Sequence, residues 1–132
     1  DRRQRQMCIR DRLVEAEITH FDAGYRRFAF IFSKNLVVSG EKCWGVTDFD
    51  KCTIFLEVDM DDETAQEVLL HEITHVLLEI VGLGGGGSDE VSDELPHHPV
   101  INNEYITTLI SRVQLMSIRL NPRLYKILAA LA

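Results

Sequence analysis

The stretch "VLLHEITHVLLEIVG", Val68 to Gly82, decides how the rest of the chain is read. Apolar residues at 65, 69, 73, 76, 77 and 80 recur at helical spacing, and Gly82 supplies the stop. Asp61 and Asp62 stand where an N-cap belongs, and Thr64 with Glu67 forms a capping box if the start slips. The helix is apolar over most of its circumference, so it is expected to be largely buried. His71, Glu72 and His75 fall in its middle. Burial would make each of them expensive unless something meets their polar atoms.

A metal ion would meet them. His71-Glu72-Ile73-Thr74-His75 is H-E-x-x-H, and residues four apart project from nearly the same helix face, so both imidazoles reach one ion. Glu72 is rotated by about 100° from His71, toward a water at the ion rather than the ion itself. Zn²⁺ takes imidazole nitrogen readily, and catalytic zinc sites use three protein ligands and leave a position for water. The alternative is a pair of ordinary partly buried histidines hydrogen-bonded to the core. A random chain of this length carries the pattern with a probability of roughly one in a few hundred, which favours the metal.

The third ligand has several candidates. Glu104 opens a second amphipathic helix, where a carboxylate also suits the helix dipole. His97 and His98 lie just before it and compete, as ligands, as an oxyanion donor or as surface residues. Glu79, one turn beyond His75, is either an acceptor for an imidazole N–H or a helix-surface carboxylate. Tyr105 is either an oxyanion donor or, better, a half-buried core tyrosine.

Around the motif helix the chain changes character. "RRFAFIFS" (Arg26–Ser33) reads as a strand, and "KNLVVSG" holds a shorter β-prone piece. "KCWGVT" and "CTIFLEV" flank "DFDK" (Asp48–Lys51), whose two Asp suit a turn. These runs predict a three-stranded antiparallel meander ending near Val58. After the motif, residues 82–99 are Gly-rich and acidic and include the run "GGGGS" of engineered linkers; they are expected to form a flexible loop or lid. "NNEYITTLISRVQLMSIRL" (Asn102–Leu120) is a helix with Ile106, Leu109, Ile110, Val113 and Met116 on one side, ended by Asn121-Pro122. "RLYKILAALA" is a short last helix.

The first twelve residues are set apart. "RRQRQMCIRDR" (Arg2–Arg12) resembles one reading frame of a translated sequencing adapter. The other reading is a basic arm that binds nucleic acid or membrane. Residues 1–12 are therefore left out of the fold prediction, and the domain is taken as 13–132 with its original N-terminus missing. The basic start is not followed by the apolar stretch of about 7–15 residues that a signal peptide needs, and no run approaches the roughly 18 apolar residues of a membrane span. Without residues 1–12, which hold five Arg and two Asp, the formal net charge moves from −7 to −10. Such a surface repels phosphate backbones. Cys43 and Cys52 form neither a C-x-x-C pair nor a disulfide framework. A reducing cytoplasm is the expected location.

Strand, turn, strand, then "ETAQEVLLHEITHVLLEIVGL", then a helix beginning "NEYITTLISRV" and ending at "NP", resembles the small zincin-like metallopeptidases of bacteria and phages, within them the ImmA/IrrE type. The run from Gly45 to His75 carries most of the likeness. The resemblance implies a minimal zincin-like α+β domain, one Zn²⁺ held by His71, His75 and Glu104, and hydrolysis of a protein or peptide substrate with Glu72 as general base. Two departures stand out: the Gly-rich insert lengthens the connection to Glu104, and no helix-turn-helix or sensor domain accompanies the site. The rivals are a non-catalytic accessory or structural protein in which zinc staples two helices, and an acidic decoy that imitates DNA.

Overall fold

The computed structural model describes residues 8–83 and 103–130. In chain order these form α1 (Ile9–Glu15), β1 (His20–Asp22), β2 (Arg27–Ser33), β3 (Val37–Val38), β4 (Glu41–Lys42), β5 (Gly45–Asp48), β6 (Thr53–Glu57), α2 (Asp62–Ile80), α3 (Asn103–Leu120) and α4 (Pro122–Ala130). The class is α+β, as expected. His97, His98 and all but the first two residues of the 82–99 loop lie outside the described residues.

The expected three-stranded antiparallel meander is replaced by a mixed four-stranded sheet of order β1-β2-β6-β5. β6 runs parallel to β2, with Ala29 opposite Thr53 and Ser33 opposite Glu57, and antiparallel to β5. Two features of the sequence account for this. The β-prone run after Ser33 is too short to extend the sheet and closes on itself as the β3–β4 hairpin, Val37 against Lys42. The most apolar strand, "TIFLE", then takes the centre, where Ile54 and Leu56 are fully buried, and β5 is left at the edge. Glu57 closes β6 as a fixed anchor: its buried carboxylate accepts from the backbone N–H groups of Asn35 (3.0 Å) and Leu36 (3.1 Å), fastening the hairpin's root.

α2 behaves as its spacing predicts on one side only. Ala65, Leu69, Ile73, Val76 and Leu77 are buried, and Ile80 packs against them. The expectation of a helix buried over most of its circumference is corrected, because Leu70 is 46% exposed and His71 lies open to solvent. The sheet covers one face of α2 and no described element covers this one. Asp61 is the N-cap, accepting from the Thr64 N–H at 2.7 Å, so the alternative Thr64 start is not used. That hydrogen bond lowers the Asp61 pKa, so the cap contributes above the ordinary carboxylate range and is lost as pH falls through the lowered value. Gly82 ends the helix with φ +75°, a conformation that glycine adopts without a Cβ clash.

The C-terminal helices lean on α2 and on β1. Val113 and Ser117 of α3 are buried, with Ile106, Leu109, Ile110 and Met116 half-buried beside them, which is the predicted face. At the α3–α4 corner, Asn121 is buried and saturated. Its Oδ1 accepts from the Asp22 N–H at 2.8 Å, and its Nδ2 donates to Asp22 O (2.8 Å) and Ser117 O (2.9 Å). α1 completes the core. Ile9 and Leu13, one turn apart, are each 1% exposed, so a segment set aside in the sequence supplies a core residue through ordinary i, i+4 spacing.

Asn121→Ala would strand the Asp22 N–H and C=O together. It is expected to destabilise the fold by about 2–3 kcal/mol in urea unfolding, with Asn121→Asp also destabilising, because it keeps the acceptor and loses the donor.

Candidate metal centre

The H-E-x-x-H residues separate by environment although they share one helix. The His71 side chain is 66% exposed and that of Glu72 only 5%. His75 is half-buried. The two Nε2 atoms stand 3.0 Å apart with the rings edge to face. Glu72 Oε2 is 3.9 Å from His71 Nε2. Ligand-capable atoms of His71, Glu72 and His75 all fall within 4.8 Å of one another.

The donor set fits a divalent metal. Two nitrogens bound at 2.0–2.1 Å in a tetrahedral zinc site stand roughly 3.3 Å apart, a few tenths of an ångström from the separation seen here. Without an ion, one imidazole can donate to the other at this distance. The pair is satisfied in either state.

Glu72 is placed by β5. Gly45 and Thr47 lie two apart on one face of this strand, the face toward α2. Thr47, itself buried, donates its hydroxyl to Glu72 Oε1 at 2.9 Å. At Gly45 a Cβ would stand 2.9 Å from Val68 Cγ1 and 3.1 Å from Glu72 Cγ, so only glycine lets strand and helix approach this closely. The result assigns the two carboxylate oxygens different neighbours: Oε1 faces the strand and Oε2 the histidine pair. Sequence reading missed both positions. The available signal was the alternation in "WGVT", which puts a glycine and a hydroxyl on one side of a strand.

The other candidates are dispersed. Glu104 is exposed in the first turn of α3 and stands outside the His71–Glu72–His75 cluster. Among the described residues, Glu79 makes no hydrogen bond to either imidazole; its charge acts on Tyr25, whose pKa is raised by burial first and Glu79 second. Tyr105 is 55% exposed rather than half-buried in the core. Cys43 lies close enough to feel Glu72, but burial and the carboxylates of Glu72 and Glu57 push its thiol pKa up, against service as a thiolate ligand.

Comparison of the chain with protein-family models, curated proteins and solved structures finds no match.

Thr47→Val keeps the shape of residue 47 and removes the one donor to Glu72 Oε1 found among the described residues. It is expected to cost about 1–3 kcal/mol in urea unfolding, the penalty of a buried oxygen left unpaired. Thr47→Ser should restore most of it. An unchanged midpoint in Thr47→Val would show that the hydroxyl does not hold the carboxylate.

Proposed function

We propose that the chain is a zinc-dependent peptidase in which His71 and His75 hold the ion and Glu72 is the general base. The reading is carried by one observation: a carboxylate buried beside two convergent imidazoles, with one oxygen tied by Thr47 and the other turned toward them. A carboxylate held only for stability has no need of such asymmetry.

When bound, Zn²⁺ would lower the pKa of a water and polarise the scissile carbonyl. The chain's own residues do the rest. Glu72 Oε2 accepts the proton of the attacking water and delivers it to the leaving amine, as a general base and then a general acid. Thr47 keeps Oε1 out of that exchange by donating to it, so the base presents one defined oxygen. β5 pairs only with β6 among the described residues, and its outer edge offers main-chain groups to an extended peptide laid beside the motif helix.

Glu104 remains the third ligand by resemblance, and it stands outside the cluster. The zinc-staple alternative gains nothing from the arrangement, since a staple joins two elements and His71, Glu72 and His75 all belong to α2.

Metal analysis of purified protein is expected to give about one zinc per chain. Glu72→Gln should keep that zinc and lose cleavage by at least about 100-fold, the usual share of a general base. His71→Ala should lose both. Full cleavage by Glu72→Gln would remove the peptidase reading.

Glu104→Gln separates the ligand sets. If residue 104 completes the site, zinc affinity should fall by at least about 10- to 100-fold, the cost of losing even a group that only supports a ligand, while the unfolding midpoint of the metal-free protein holds. Unchanged affinity would leave the two histidines without Glu104.

A further inference from the structure

A cleft of about 390 Å³ opens beside His71 and Glu72. Its remaining walls are Trp44, Gly45, Thr64, Glu67 and Val68. That volume is within the range of sites that accept small ligands, and exceeds what one amino-acid side chain requires.

The chemistry of the walls is lopsided. Glu67 precedes His71 by four residues, so its carboxylate stands one helical turn from the histidine on the same face. Among the described residues it makes no hydrogen bond or ion pair, in contrast to Glu72 and Glu57, which are tied. Among the described residues, no lysine or arginine lines the cleft. Trp44, which directly precedes β5, is another wall of the same cleft and is 46% exposed. Its ring already attracts a cation, because Lys42 Nζ lies 5.5 Å from the ring centroid. A carboxylate with no partner among the described residues and an indole face, two walls of one cleft, suit a group with a long apolar stem and a positive tip.

We infer that this cleft binds a lysine or arginine side chain of a peptide, with the stem along Trp44 and Val68 and the charge at Glu67. The inference rests on the peptidase reading for its placement next to the scissile bond; the preference for a basic side chain rests on the cleft alone. Lys42 is the internal competitor for the indole face. The formal net charge of −7 draws basic peptides toward the protein generally, but Glu67 is the group that would distinguish one position of the peptide from another.

Trp44 is the single tryptophan of the chain, so its fluorescence reports on this cleft directly. The experiment uses the zinc-loaded Glu72→Gln variant, which binds without turnover, titrated with two short peptides that differ only in one central Lys or Met. The Lys peptide is expected to bind about two- to fivefold more tightly, the effect of an exposed ion pair. Adding Glu67→Gln should abolish that difference, and Glu67→Lys should reverse it in favour of a Glu peptide. Lys42→Gln should tighten the Lys peptide by about two- to fivefold, a gain that damage to the fold would not produce. Equal binding of the Lys and Met peptides, or a Lys preference that survives Glu67→Gln, would overturn the inference. A failure of Lys42→Gln to tighten binding would overturn the stacking on Trp44. Cleavage is scored separately with the wild-type protein: a Lys peptide that binds through Glu67 but is never cut leaves the cleft assignment standing and removes the peptidase reading.

Discussion

A carboxyl group loses most of its hydration when it is packed between a helix and a strand, and the loss must be met locally. In this protein the Thr47 hydroxyl meets it at one oxygen of Glu72. The bond joins residues 25 apart in sequence and sets β5 against α2. Gly45 is its companion constraint, because any side chain there would push Val68 and Glu72 away. The strand, the helix and the orientation of the motif's acid are thus one arrangement. Disturbing any member moves the other two.

The order of strands follows from which segments can be buried on both faces. β6 can, with Ile54 and Leu56 inside and only Phe55 partly open. β5 cannot, since "GVTD" offers one small residue and two polar ones. It goes to the edge, pairing with β6 alone among the described residues. The short hairpin between β2 and β5 carries the chain across, and Glu57 ties its root to the central strand through two backbone amides. The edge position puts Trp44, Gly45 and Thr47 beside the histidines. A meander would have put a different strand there.

The charged groups near the motif divide into tied and open. Glu57 and Glu72 are buried and hydrogen-bonded, which holds structure in place. Glu67 and His71 are exposed on the same face of α2, available to a ligand. One carboxylate is buried and another exposed, five residues apart on a single helix; on the proposed reading the first is the positioned base and the second the recognition group. His71 Nε2 and His75 Nε2 converge at the boundary between the two environments, 3.0 Å apart.

Much of this was legible in the chain itself. The α2 core positions Ala65, Leu69, Ile73, Val76 and Leu77, the cap at Asp61, the stop at Gly82 and the inner face of α3 all follow from local periodicity and capping, which depend on residues within a few turns. So does the meeting of His71 with His75, since four residues is one helical turn. Other features needed partners far away in sequence. The parallel pairing of β2 with β6, the exposure of one side of α2, the burial of Ile9 and the double tie of Asn121 to Asp22 are decided by which surfaces remain uncovered once the sheet has formed. Glu72 belongs to both groups: its place on the helix is a matter of spacing, whereas its burial and the choice of its free oxygen come from a strand whose Thr47 arrives only when the chain is folded.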